Sequence, residues 1–293
     1  MRLASGFVAA LAALMPLAPA HAAAPIEVRD DRGVAVALEA PARRIVALAP
    51  HLAEIAYAAG AGDRLVGVSN FSDFPPEAKR LPVVFDWGRV DYERVIALRP
   101  DVVLAWRSGT PALQVERLER LGMKVVVTEV RHFADVAALE RTVGRIAGTE
   151  ASAETAARDF ENRLAALRAE YAARPALSVF LEIWHAPMIT INGDHVFSEA
   201  IELCGGRNVF ARARTTTPLV SREQLLGARP DVVVTGVDVT GPAVERDAWR
   251  GLDAVPAVRA GHVYAVRAND LHRPGPRLLE GARELCLALD RAR

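Results

Sequence analysis

Rings and imidazoles recur in this chain just after short runs of valine, isoleucine and leucine. His51 follows "RIVALAP", Phe71 and Phe74 lie in "SNFSDFPP" after "LVGV", Trp106 follows "DVVLA", and Trp184-His185 follow "LSVFLEI". Trp87 stands in "FDWGRVD", and Asn269-Asp270 follow "HVYAVRA". One such ring alone is ordinarily core packing or a loop lid. Gathered around a water-facing cleft they mean something else, because exposed aromatic area is unfavourable unless it receives a large, flat or greasy ligand. Three of the four tryptophans, Trp87, Trp106 and Trp184, are expected near such a cleft. His51 and His185 are the imidazoles placed to touch the ligand. His132, His195, His262 and His272 are scattered singly, with no His-x-x-x-His or Cys-His spacing, so no protein-held metal is expected.

In open β/α sheets the crevice beyond the carboxyl ends of the strands takes the ligand, so these rings need parallel strands to carry them. The hydrophobic pattern supplies them. "IEVRDDRGVAVALEAPARRIVALAP" reads as a hairpin about an Asp-Asp-Arg-Gly turn, leading into a strand at Arg44 to Leu48. There follow helix Pro50 to Ala59, strand Leu65 to Val68, helix Tyr92 to Leu98, strand Val102 to Ala105, helix Leu113 to Leu121 and strand Val125 to Thr128. In "TEASAETAARDFENRLAALRAEYAARP", Phe160, Leu164, Leu167 and Tyr171 recur at helical spacing until Pro175. That segment predicts one helix of about 24 residues, roughly 36 Å long. It reads as a rigid connector, with a packing helix of a single domain as the alternative. Strand Leu177 to Ile183, helices Phe197 to Leu203 and Arg222 to Leu226, strands Val232 to Thr235 and Val263 to Val266, and helix Pro276 to Leu289 complete the chain.

The second half thus repeats the kind of fold in the first, and one phrase occurs in both. "ERVIALRPDVVLAW" opens on Glu93 and "EQLLGARPDVVVTG" on Glu223. The expected fold is α/β: two β/α lobes with mainly parallel sheets joined by a single long helix. The lobes are placed at residues 23–148 and 175–293, with residues 149–174 as the connection.

A chain of 293 residues exceeds what one hydrophobic core usually serves, which agrees with two lobes. Lysine plus arginine balance aspartate plus glutamate at 36 each, so nucleic acid and anionic membrane surfaces are not expected as general partners. Arg2 precedes an apolar stretch from Phe7 to Leu17 and then Ala20-His21-Ala22, the pattern of an export signal over residues 1–22. A buried N-terminal helix is the alternative. The apolar stretch falls short of the about 20 residues that span a bilayer. With no cysteine at the cleavage position, the expected compartment is the periplasm, without a lipid anchor. The two cysteines, Cys204 and Cys286, would pair in an oxidising compartment, closing a loop of roughly 80 residues worth on the order of 4 kcal/mol in chain entropy. A metal site is the less favoured use of them. No Gly-x-Ser-x-Gly elbow, phosphate loop or dinucleotide glycine fingerprint sits in its required context, so the protein is expected to bind without catalysing.

The runs "RIVALAPHLAEIAYAAGAGDRLVGVSNFSDFPP", "DYERVIALRPDVVLAWRSGT", "ELCGGRNVF", "VSREQLLGARPDVVV" and "RPGPRLLEGARELC" together resemble the class III periplasmic binding proteins. Among these the chain is most similar to the cobalamin-binding members of vitamin uptake ABC importers. The resemblance implies that a corrinoid is held between the lobes and delivered, as transported ligand rather than cofactor, by a monomer. The receiver implied is an importer with two-fold related permease subunits. It places Glu93 and Glu223 as the two carboxylates that dock into permease arginines, and Cys204 and Cys286 at a disulfide. It also implies Phe71 or Phe74, Trp87 and Trp106 as ring contacts and Asp270 as an acidic position near the corrin. Thr215-Thr216-Thr217-Pro218 replace an aromatic expected before "VSREQ", and Leu271 replaces another beside Asp270, so Trp184 is a candidate to fill the second-lobe face. Haem or a ferric siderophore is the alternative cargo on the same fold; a periplasmic enzyme on this scaffold is the remote one.

Overall fold

The computed structural model describes residues 25–86, 88–237, 249 and 251–293. The expected export signal and Trp87 lie outside them. Strands β1 (Ile26–Arg29) and β2 (Ala35–Leu38) pair antiparallel as the expected hairpin, with Gly33 taking the left-handed turn position at φ +82°. The chain then builds β3 (Ile45–Ala47), α1 (Pro50–Ala58), β4 (Leu65–Ser69), β5 (Val83–Asp86) and β6 (Arg89–Val90). It continues through α2 (Tyr92–Leu98), β7 (Val102–Trp106), α3 (Ala112–Arg120) and β8 (Val125–Thr128). Six strands form one sheet in the order β6-β5-β4-β3-β7-β8, parallel except at the β5–β6 edge. Val102 to Ala105 are fully buried, as befits a parallel strand covered by helices on both faces.

Two helices follow, α4 (Phe133–Ala147) and α5 (Glu150–Tyr171). The sequence reading leaves α4 unassigned, although Phe133, Val136, Ala137, Val143, Ile146 and Ala147 recur at helical spacing and are all buried. Gly148, at φ +65°, ends it, and α5 turns back against it so closely that a Cβ on Gly144 would collide with that of Ala153. The expected long helix is therefore present, at 22 residues, but as one arm of a helical hairpin.

Beyond it lie β9 (Leu177–Glu182), α6 (Val196–Leu203), β10 (Gly206–Asn208), α7 (Arg222–Ala228) and β11 (Val232–Val237). Then come α8 (Pro256–Ala260), β12 (Val263–Arg267), α9 (Ala268–Leu271) and α10 (Leu278–Arg291). A second sheet runs β10-β9-β11-β12, parallel throughout. Cys204 at the end of α6 is bonded to Cys286 in α10 across 82 residues of sequence. One continuous apolar core runs from Ile45 and Leu52 through Phe133 and Phe160 to Val179, Ile201 and Leu285, so α5 ties the sheets together by packing as well as by chain. Ion pairs Arg163–Glu280 at 2.7 Å and Arg168–Glu199 at 2.5 Å fasten α5 to the second half.

The repeated phrase has a structural meaning. Arg99 and Arg229 cap α2 and α7 in the left-handed conformation, at φ 44° and 50°. After each proline an aspartate latches the start of the neighbouring strand: Asp101 Oδ2 accepts from the amides of Arg43 and Arg44, and Asp231 Oδ2 from the amide and hydroxyl of Ser178. Glu93 and Glu223 sit in the first turns of these helices, exposed, with Asp91 and Ser221 as the capping residues. The Ser221 hydroxyl beside Glu223 holds its carboxyl below the usual range.

Glu140 of α4 is the anomaly of the helical layer. It is buried, its Oε2 has no hydrogen-bond partner, and burial pushes its carboxyl up to about 7, with Asp159 and Glu161 of α5 adding to Arg141's failure to offset it. The folded state therefore holds a proton that the unfolded chain releases near 4.5, and stability falls as pH rises between those values. Glu140→Gln removes this dependence. Measured by urea unfolding, the variant is expected to gain roughly 1–2 kcal/mol on the parent between pH 5 and pH 8, allowing for partial solvent screening; parallel pH profiles would refute the assignment.

Candidate ligand cleft

A cleft of about 440 Å³ opens between the two halves. The first half contributes Trp106 at the end of β7, Ser108 just beyond it, and Glu129-Val130 directly after β8. The second contributes Ile183 after β9, His195 and Phe197 at the start of α6, Thr216-Thr217, and His272 and Pro274 after α9. Strand carboxyl ends from both sheets thus converge on one space, as the fold class requires.

Trp106 is fixed on two sides. His51 meets it edge-on at 5.1 Å between centroids, and its indole nitrogen donates to Glu129 Oε1 at 3.3 Å. Glu129 Oε2 accepts from the Ser108 hydroxyl at 2.7 Å. Across the cleft Phe197 lies between two imidazoles, His195 at 4.2 Å and His272 at 5.7 Å. Burial lowers both imidazoles to about 4, so they are neutral at pH 7. His195 Nδ1 accepts from the Phe197 amide at 3.3 Å, which leaves the ring proton on Nε2. His272 Nε2 is buried without a partner, and the ring fits only because position 236 is glycine.

Beside the lining residues His272 and Pro274, the two halves are locked by charge. Glu54 of α1, 3% exposed, receives Arg277 Nε on Oε2 at 2.9 Å and Nη2 on Oε1 at 2.7 Å, with Arg273 Nη1 at 3.3 Å from Oε1. Arg273 also reaches Asp73 of the first half at 2.5 Å and Asn269 at 2.9 Å. Arg277 Nη1 donates to Asp270 at 2.5 Å, and its guanidinium lies 4.3 Å from the centroid of Phe74.

Of the residues singled out from sequence, Trp106 alone lines this cleft among those described. His51 is buried behind it, held neutral with a pKa near 3 by burial and by Arg273. Phe74 and Asp270 belong to the lock. Phe71 is 59% exposed; so is Trp184 at 57%, its indole donating to the Ala186 carbonyl at 3.0 Å. His185 is drawn to Glu182 at 2.7 Å and faces Trp249 at 6.2 Å. Sequence reasoning missed Glu129, although the rule that the first residue after a strand lines the crevice points to it. It also missed His195 and Phe197, which arrive on a helix start after a long excursion and obey no strand-end rule. The threonines noted as a departure do line the cleft.

The periplasmic binding protein family matches residues 45–269. The chain belongs to that family. This periplasmic binding protein is 36% identical over 246 residues to the vitamin B12-binding protein of Vibrio parahaemolyticus, covering 84% of this chain and 89% of that one. It is 35% identical over 249 residues to the vitamin B12-binding protein of Pectobacterium carotovorum, covering 84% and 88%. Among solved structures it superposes on the periplasmic vitamin B12 binding protein BtuF of Vibrio cholerae with a TM-score of 0.79 at 35% identity, covering 86% of this chain and 98% of that one. A periplasmic haem binding protein from Pseudomonas aeruginosa superposes with a TM-score of 0.72 at 26% identity, covering 84% and 92%.

The lock yields a prediction for this binding protein. Removing one partner of a buried ion network strands the others, so Glu54→Ala is expected to cost about 3–5 kcal/mol of unfolding free energy in denaturant titration. A loss below about 1 kcal/mol would show that water replaces the carboxylate.

Proposed function

We propose that this protein captures a corrinoid in the periplasm and hands it unchanged to an ABC importer. The observation that carries the reading is identity to vitamin B12-binding proteins sustained over 84% of the chain. Trp106 and Phe197 supply apolar ring surface from opposite walls, and Phe71 and Trp184, exposed rings outside the lining, are further candidate contacts. On this reading residues 1–22 are the export signal, 23–148 and 175–293 the lobes, and 149–174 their connection; Trp87, Phe74 and Asp270 remain candidate contacts. Calorimetric titration with cyanocobalamin is expected to give one site per chain, and no heat at tens of micromolar would sink the corrinoid claim. Haem is the second reading, favoured by the two imidazoles in the cleft; it demands a new Soret band with haemin that His195→Ala abolishes.

Delivery rests on Glu93 and Glu223. Two like carboxylates on related helices, one per lobe, suit a receiver made of two copies of one membrane subunit, because carboxylate–arginine pairs give register as well as affinity. Glu93→Ala with Glu223→Ala is expected to leave cyanocobalamin affinity within about twofold, both residues lying outside the cleft. Stimulation of the importer's ATPase by the loaded protein should be lost. Full stimulation by the double variant would refute the docking role.

A further inference from the structure

We propose that Glu129 makes the cleft select tetrapyrrole cargo whose rim carries neutral amides, against cargo whose rim carries free carboxylates. The proposal rests on the reading of this cleft as the cargo site. Both oxygens of Glu129 act as acceptors, one from the Trp106 indole at 3.3 Å and one from the Ser108 hydroxyl at 2.7 Å, the role of an ionised carboxylate. The same two bonds fix its position. Among the described residues Glu129 forms no ion pair, and the cleft lining contains no lysine or arginine. Arg273 and Arg277 are engaged in the lock; Arg29, Arg107 and Arg131 lie on the other side of Glu129, in a separate pocket outside this lining, where Arg107 donates to the Asp31 carbonyl at 3.1 Å. The imidazoles of His195 and His272 are neutral at pH 7 and add no positive charge.

Among the described residues, the lining of this cleft therefore presents one carboxylate and no lysine or arginine. A second anion held about 6 Å from Glu129 in a partly desolvated site meets repulsion large enough to weaken binding on the order of tenfold or more. A primary amide in the same place offers N–H donors to the lone pairs that Trp106 and Ser108 leave open. A corrin carries primary amides around its rim, whereas haem carries two propionates, so one carboxylate separates the two cargo classes that this fold accommodates.

The test is a pair of titrations on the purified protein, with cyanocobalamin and with its side-chain monocarboxylic acids, in which one amide has been hydrolysed. The amide form is expected to bind about tenfold more tightly or better. Glu129→Gln should reduce that ratio at least about threefold, and raising salt from about 0.05 to 0.5 M should narrow it in the parent without any substitution. A ratio near one, or a ratio that neither Glu129→Gln nor salt moves, overturns the inference while cyanocobalamin binding leaves the corrinoid reading intact. If neither corrinoid binds, that reading fails, and haemin against its diamide puts the same question to Glu129: preference for the diamide that Glu129→Gln diminishes supports the role, and equal binding overturns it.

Discussion

The buried carboxylate of Glu54 ties the two halves that wall the cleft. An ionised group at 3% exposure is tolerable only where cations and hydrogen bonds replace its water, and here both oxygens are filled by arginines from the other end of the chain. Arg277 adds Asp270 and the face of Phe74 to the same guanidinium, and Arg273 adds Asp73. Moving the second half relative to α1 would break these contacts together and strand charge in a dry site. The apolar core running through α5 opposes the same motion. A cleft bounded by walls held in this way is formed before its ligand arrives, which spares binding the cost of ordering it.

The lock also shapes the electrostatics above it. Arg273 and Arg277 are engaged with Glu54, and Glu129 is the charged side chain of the described cleft lining, beside imidazoles kept neutral by burial. His51 shows the same economy from the other side. It sits against Trp106 and Gly275 with Arg273 nearby, so its role is to brace the indole as a neutral ring. Charge is thus concentrated where the halves must hold and withheld where a largely apolar surface must face a ligand.

The alternation of valine-rich strands with helices was legible in the sequence because the central strands β3, β7, β8 and β9 are buried on both faces and the longer helices carry a buried stripe. The edge strands β6 and β10 were not, being two and three residues long and without a hydrophobic run. Trp106 was readable from its strand end. Phe74 and Asp270 were readable as unusual residues but not as members of an ion network, because their partner Arg277 is bonded to Glu54, over 200 residues away, and no local pattern links the two. Glu129 stood in a position the strand-end rule covers, yet a glutamate after a strand looks like any solvated loop residue until Trp106 and Ser108 are seen to converge on it.

The repeated phrase joins the cleft wall and the proposed docking surface without mixing them. In each half the aspartate after the proline bonds the chain entering the central strand, while the helix before it carries the exposed glutamate. The sheet therefore fixes both the strand end that feeds the cleft and the helix that bears the glutamate, by one short rigid unit in which the left-handed arginine sets the angle. Two such units, held apart by the Glu54 lock and the α5 core, keep a set spacing between Glu93 and Glu223. On the proposed docking role, a two-fold receiver would demand that spacing, and a pair of loosely hinged lobes would have to restore it, at an entropic cost, at every encounter.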